Sequence, residues 1–514
     1  MTCFPTTSAR RPASARPSCA SWEPHERRAR AHLRMTLLQE RFAEVGPVTA
    51  MEAQLARAAV AARGRLDERD ETAIRYALAL SRCWHVRAPD GRDVAVAAIL
   101  RPFREQLVQV LWPLLDPQRP MLAAPHELLP AARESYRIAT AALEQVAQQL
   151  GHRLPADRLD REVRERHLVL VCGGGGGTGY VHLAAFALLE AAGLQPALIA
   201  GSSMGAILGL FRARERRFDL ARIPEILQDL TYRKIFRLVP QPSVYGLPGP
   251  LRLHLRAAIG HWFRHPDGSP VRMSDLPIPL LVTVTGIRRG KLPRPLEEYE
   301  SMLGVPDPDP SRWGVRALHR NVQRLTAAIS ELARIPRITT RLVFGASEET
   351  RQADAIDAAG FSASVPGVIH YDVLRDDPRM RELLDGLLER HDLLRLCDGG
   401  VVDNVPVRTA WQHVQRAGLP GSGSRNVVIF ALDGFAPRLM TPLWLPLQSV
   451  AAPAVTRNRP YAHVYKAFRK TLSPLALLPS QRALQSVVRS AKEELLDELP
   501  TLQRLLAPIP PLPS

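Results

Sequence analysis

Three clusters of residues in this chain have types and spacings that could do chemistry. The first is Gly201-Ser202-Ser203-Met204-Gly205, between an apolar run ending at Ala200 and a helical stretch opening at Gly205. A nucleophile on a sharp strand-to-helix turn needs glycine on both flanks, because the backbone is strained and side chains there would strike neighbouring strands; this is the G-x-S-x-G arrangement in the context that gives it meaning. Ser203 would project its hydroxyl into a cleft beside a helix N-terminus that favours negative charge. The second cluster is the run Gly173 to Gly177, then Thr178 and Gly179. The spacing Gly174-x-Gly176-x-x-Gly179 fits a dinucleotide loop, but the next strand ends in Ala200-Gly201-Ser202, where a ribose-binding acid belongs, and the nearby acid, Glu190, sits on the intervening helix. The other reading uses the same N–H groups, exposed at a helix start, to hold the oxyanion of a tetrahedral intermediate. The third cluster is Asp398-Gly399-Gly400-Val401-Val402-Asp403-Asn404-Val405-Pro406, a carboxylate at the end of Leu393-Leu394-Arg395-Leu396 with its neighbours trimmed to glycine. Taken alone, an Asp-Gly pair is most often a turn.

The elements that must position these groups can be read from periodicity. Leu168-Val169-Leu170-Val171 reads as a buried strand entering the glycine loop, Tyr180 to Ala192 as a helix, Ala197 to Ala200 as a short strand and Gly205 to Arg214 as a second helix. That alternation predicts parallel strands joined by crossovers. Leu280 to Thr285 and Val427 to Leu432 supply further buried strands, and Leu318, Val322, Leu325, Ile329 and Leu332 mark an amphipathic helix. From Met35 to about Pro155 the pattern is helical: Tyr136, Ala139, Leu143, Val146 and Leu150 recur at helical steps and stop at Gly151. No nucleophile, base or metal-ligand set stands out there, so this region reads as a cap or docking surface. The expected organisation is a disordered basic segment over 1–34 (with Met35 a plausible true start), a helical accessory region over 35–160, an α/β domain carrying all three clusters over 161–440 and a helical C-terminal extension with a Pro-rich tail over 441–514. No internal repeat is present.

Composition narrows the class. The 514 residues are 46% hydrophobic and 23% charged, enough for one large core or two ordinary ones. Five cysteines (Cys3, Cys19, Cys83, Cys172, Cys397) form no C-x-x-C pair, which points to a reducing compartment and away from zinc ribbons and disulfide frameworks. The net charge of +17 is carried by arginine, with only five lysines among 68 basic residues; beside 45 prolines this reads as coding bias, and nucleic acid is not expected as a partner. The most apolar long stretch, Leu439 to Thr456, is broken by Pro442, Pro446 and Pro453, so no transmembrane helix is expected. Arg10, Arg11 and Arg16 are followed by no apolar segment, so no secretory signal is read and a cytoplasmic location is expected. Arg457, Arg459, Lys466, Arg469 and Lys470 alternate with Tyr461, Tyr465 and Phe468. That mix suits either peripheral contact with a membrane surface or a solvated helix face.

Taken in order, the glycine loop, the elbow and the Asp-Gly-Gly segment resemble the patatin-like phospholipase family. Ala200 to Ala206 and Asp398 to Val407 look like its two most distinctive signatures, and Ile278 to Ile287 and Ala363 to Val368 are similar to further family segments. The resemblance covers about His167 to Phe435. It implies a three-layer α/β/α fold with a mainly parallel central sheet, and hydrolysis of acyl esters of phospholipids or related lipids by a Ser-Asp dyad. By position, Ser203 would be the nucleophile, Asp398 the base, and Gly174, Gly175 and Gly176 the oxyanion-hole donors. No cofactor, metal or histidine is required; His413, between helical neighbours, reads as a helix-face residue, and His463 sits in no loop signature. Two positions depart from the family pattern: Thr178 stands where Arg or Lys is usual, and Met204 where a small residue is usual. The alternative expectation is a catalytically weak or inactive lipid-binding or scaffolding protein on the same fold.

Overall fold

The computed structural model describes residues 24–228, 230–237, 244–249, 251–290, 338–373, 377–436 and 445–512, with scattered positions between 295 and 331. Leu318, Val322, Leu325, Ile329 and Leu332, expected to form an amphipathic helix, lie outside the described residues, as do residues 1–23. The chain divides into two compact units, Met1–Glu44 and Val45–Ser514. Helix α1 (Pro24–Ala62) begins inside the segment read as disordered, where Ala, Arg and Leu favour helix. All that follows concerns the second unit.

The accessory region is helical as expected: α2 (Glu68–Ser81), α3 (Ala97–Leu115), α4 (Pro125–Leu150) and α5 (Ala156–Arg164). Asp67 caps α2 by accepting the Arg69 N–H, and Glu68, Asp70 and Glu71 place negative charge in its first turn. In α4, Leu128, Ala132, Ile138, Ala142 and Val146 are buried at helical steps. A short antiparallel pair, His85–Arg87 with Asp93–Ala95, interrupts the helices. The region is fastened to the domain that follows by buried polar groups. Glu52 pairs with Arg82 at 2.7 Å, Arg166 at 2.9 Å and His463 at 3.2 Å. These partners hold its carboxyl well below the usual range despite the opposing cost of burial.

A seven-stranded sheet forms the rest of the framework: β1 (His167–Cys172), β2 (Pro196–Ser202), β3 (Leu280–Arg288), β4 (Thr339–Phe344), β5 (Leu393–Cys397), β6 (Val427–Asp433) and β7 (Val464–Ala467). Its order is β5-β3-β2-β1-β6-β7, with β4 also paired to β3. The strands from β3 through β7 along this order run parallel, and only β4 and β5 are antiparallel, both to β3. Leu168, Leu170 and Cys172 of β1 and Val428, Phe430 and Leu432 of β6 belong to one core with α6 (Val181–Ala191) and α7 (Met204–Ala213). Val169, Val171, Ile429 and Ala431 are buried on the opposite face, which is why these strands read as unbroken apolar runs rather than alternating ones. Helices thus cover both faces, a three-layer α/β/α fold behind a helical N-terminal region.

The C-terminal extension departs from expectation. It is not helical throughout: β7 pairs with β6 in parallel, and the helix Gln481–Leu496 packs on α6. The aromatic residues of its basic stretch are held by the domain. Tyr461 and Phe468 are buried, and the Tyr465 hydroxyl donates to Asp433 at 2.6 Å. Among the described residues no helix is long and apolar enough to cross a membrane, and the described part of Leu439–Thr456 forms the helix Leu445–Asn458.

Candidate active site

Strand register brings the elbow and the Asp-Gly-Gly segment together. Ser202, the last residue of β2, pairs with Thr283 of β3. Cys397, the last residue of β5, pairs with Thr285 of the same strand. Because β2 runs parallel and β5 antiparallel to β3, both ends converge on Thr283–Thr285, so Ser203 and Asp398 emerge side by side from opposite directions. One helix, Ala355–Ser362, ties the junction. Ser362 Oγ donates to Thr283 O at 2.6 Å and accepts the Ser203 N–H at 2.9 Å, while Ser362 O accepts the Gly399 N–H at 3.2 Å.

Ser203 adopts φ 52° and ψ −125°, a left-handed conformation that costs a residue with a side chain on the order of 1–3 kcal/mol. Its carbonyl offsets part of that cost by accepting the N–H groups of Ala206 and Ile207 at 2.9 and 3.2 Å as α7 begins. The flanking glycines are required by close approach: a Cβ on Gly205 would stand 2.2 Å from Cys172 O, and one on Gly201 2.6 Å from Gly205 O.

Asp398 is held by its backbone and left open at its carboxyl. Its N–H donates to Ser364 O at 2.8 Å and its carbonyl accepts Thr285 Oγ1 at 2.7 Å. Oδ1 accepts the Gly400 N–H at 2.7 Å, whereas Oδ2 is buried without a partner of ordinary hydrogen-bond geometry. Burial raises its pKa from 3.8 to about 6, against the opposing influence of the Ser203 hydroxyl and the Gly400 N–H. Asp403, five residues on, is the contrast. Its oxygens accept Asn458 Nδ2 at 2.8 Å, Thr409 Oγ1 at 2.7 Å and Arg341 Nη1 at 3.1 Å, and it does not line the cavity described below.

The glycine loop is more differentiated than its sequence. Gly174, expected as an oxyanion donor, has its N–H engaged by Asn404 O at 3.0 Å and does not line the cavity described below, which removes it from that role. Gly173 donates to Leu432 O at 3.0 Å and Gly177 to Pro474 O at 2.8 Å. Among the described residues, the N–H groups of Gly175 and Gly176 have no protein acceptor, and both residues line the same cavity as Ser203. Gly175 has φ 131°, which only glycine adopts readily. The two departures from the family pattern find their reasons here. Thr178 is buried and its hydroxyl donates to Gly175 O at 3.0 Å, closing the turn with a short side chain. Met204 fits because residue 179 is glycine: a Cβ there would stand 2.7 Å from Met204 Cγ. His182, which sequence reasoning passed over, steadies the loop from beneath. Burial lowers its pKa to about 4, so the neutral ring donates from Nε2 to Gly173 O at 2.8 Å. Carbonyl oxygens of Ser473, Pro474 and Ala476 crowd Gly176 and Gly177. On that side the chain itself fills the space a pyrophosphate would need, which disfavours the dinucleotide reading.

Ser203, Asp398, Gly175 and Gly176 open on one cavity of about 260 Å³. Its wall is hydrocarbon from Ile207, Phe211, Ile226, Leu230, Phe236 and Leu253 among others, and no Lys, Arg, His or Glu lines it among the described residues. His413 and His463 are buried elsewhere; neither lines the cavity. The described carboxylates grouped closely enough to hold a cation, Asp354, Asp357 and Asp377, are bridged by Arg256 instead, at 2.5 Å from Asp354 and 3.2 Å from Asp377.

Architecture and elbow together put the domain in the class of α/β/α folds that present a serine at a strand-to-helix turn. Residues 170–411 match the model of the patatin-like phospholipase family, whose members are generally lipid ester hydrolases. Uncharacterized NTE family proteins of Mycobacterium bovis and Mycobacterium tuberculosis are 33% identical over 129 residues, which is 24% of this chain and 32% of theirs. The chain thus spans about a third of the length of the curated relatives it matches.

Proposed function

We propose that the chain is a lipid acyl hydrolase in which Ser203 is the nucleophile, Asp398 the general base, and the Gly175 and Gly176 N–H groups the oxyanion donors. The observation that carries this reading is the pairing of a strained serine with a buried carboxyl, one oxygen unpartnered, at the head of one hydrocarbon-walled cavity. An acyl chain suits such walls, whereas a phosphate finds no cation in them and would stay outside.

In the first step Asp398 takes the Ser203 proton as Oγ attacks the ester carbonyl. A carboxylate of ordinary acidity is a poor base for an alcohol, and the rise to about 6 narrows that mismatch. The remaining barrier falls to the oxyanion donors, which act where charge develops. Collapse expels the alcohol with the proton returned by Asp398, leaving acyl-Ser203, and water activated by the same carboxylate then releases the acid. The test is turnover of a short-chain nitrophenyl ester and of phospholipid micelles. Ser203→Ala should abolish both with folding retained; turnover equal to the wild type in that variant would reject Ser203 as the nucleophile, and no turnover by the wild type would leave the lipid-binding or scaffolding alternative.

A further inference from the structure

The cavity is not completed by the family domain alone. The segment Ser473-Pro474-Leu475-Ala476-Leu477-Leu478-Pro479-Ser480 lies beyond residues 170–411, between β7 and the helix Gln481–Leu496, yet Pro474, Leu475, Leu477 and Leu478 all line the cavity. It is anchored to two elements that themselves wall the site. On the glycine side, Gly177 N–H donates to Pro474 O at 2.8 Å and the Tyr180 hydroxyl to Leu477 O at 2.6 Å. On the other, the Tyr232 hydroxyl donates to Leu475 O at 3.0 Å. Prolines near both ends restrict the backbone between them. The three leucines are half-buried, bounded by the cavity and by solvent rather than sunk in the core.

We propose that this strap is the specificity-determining wall of the acyl site and the brace of its glycine loop, so that its leucines set the acyl chain length the site accepts. The brace follows from the Gly177 bond. By fixing the turn one residue past Gly176, it holds the two open N–H groups in place. The wall follows from the leucines, since each acyl methylene that loses apolar contact costs about fourfold in kcat/KM. The kinetic readout rests on the hydrolase reading; the binding readout does not.

The experiment compares Leu478→Trp, which fills the cavity, with the double variant Leu475→Ala/Leu478→Ala, which widens it. For nitrophenyl esters from butanoyl to hexadecanoyl, the tryptophan variant should lower the dodecanoyl-to-butanoyl ratio of kcat/KM at least tenfold, chiefly through KM. The double variant should move the optimum at least two carbons longer. In parallel, dodecanoate is titrated into Ser203→Ala protein with and without Leu478→Trp, where its affinity should fall at least tenfold. Loss of dodecanoate affinity without ester turnover in any form would uphold the strap and reject the hydrolase. Chain-length ratios and dodecanoate affinity within twofold of the parent protein, in variants that unfold at its temperature, would overturn the strap. If Leu478→Trp does not fold, the double variant decides by the same two readouts.

Discussion

Replacing Asp398 with Asn should stop turnover and stabilise the fold at the same time. Asp398 as a whole is 7% exposed, and burial moves its pKa from 3.8 to about 6. The folded chain therefore holds this proton more tightly than the unfolded chain does. Stability contributed at this site is full below about pH 4, falls as pH rises between about 4 and 6, and is gone above that range. Keeping the group ionised at pH 8 costs about 3 kcal/mol, a figure that follows from that displacement at 1.36 kcal/mol per pH unit. An uncharged, nearly isosteric amide escapes this cost. Unfolding of the unit Val45–Ser514 carries an entropy of about 1 kcal/mol per kelvin at its size. The expected rise in Tm is then about 3 °C at pH 8, shrinking toward zero near pH 4. Differential scanning calorimetry of both proteins from pH 4 to pH 8, beside ester turnover, checks both halves. Equal Tm values at every pH would show that no desolvated carboxylate sits at this position, and the account of the base would fail with it.

The same displacement sets a pH dependence. The rate at low substrate should climb with an apparent pKa near 6 as Asp398 loses its proton, and a profile flat from pH 4.5 to 8 would assign the proton transfer elsewhere. Gly175→Ala places a Cβ 2.4 Å from Thr178 Oγ1 and 2.7 Å from Phe435 Cβ, at a φ of 131°. It should lower kcat about a hundredfold or more while KM stays within about threefold, as befits a donor that acts on the transition state. Ser362→Ala strands the buried Ser203 N–H at a cost of about 1–3 kcal/mol and frees the elbow, so kcat should drop about tenfold to a hundredfold. Restoration of the rate by Ser362→Thr would separate positioning from simple loss of stability.

How much of this was legible beforehand differs by element. Leu168–Val171 and Val427–Leu432 are strands buried on both faces, so their apolar runs announced themselves, and the elbow declared itself by the glycines that close packing demands. β7 did not. It is four residues long, at the sheet edge, with Ala467 exposed and Lys466 turned against Glu498, so its composition resembled a basic interfacial segment. Asp398 carried a turn signature that only the register of β5 on β3 converts into a site residue. Ser362 left no local trace, because its partner lies 159 positions away. The glycines of the loop look alike in sequence. What separates Gly174 from Gly175 and Gly176 is a backbone carbonyl supplied by Asn404, and no spacing encodes that.

The central claim concerns one hydroxyl. A long-chain alkyl fluorophosphonate, incubated with the protein and followed by intact-mass and peptide mass spectrometry, should form one adduct, on Ser203, and should react far more slowly with the Asp398→Asn variant. An adduct on a different serine, or labelling of Ser203 at an unchanged rate once the carboxyl is gone, would contradict the account.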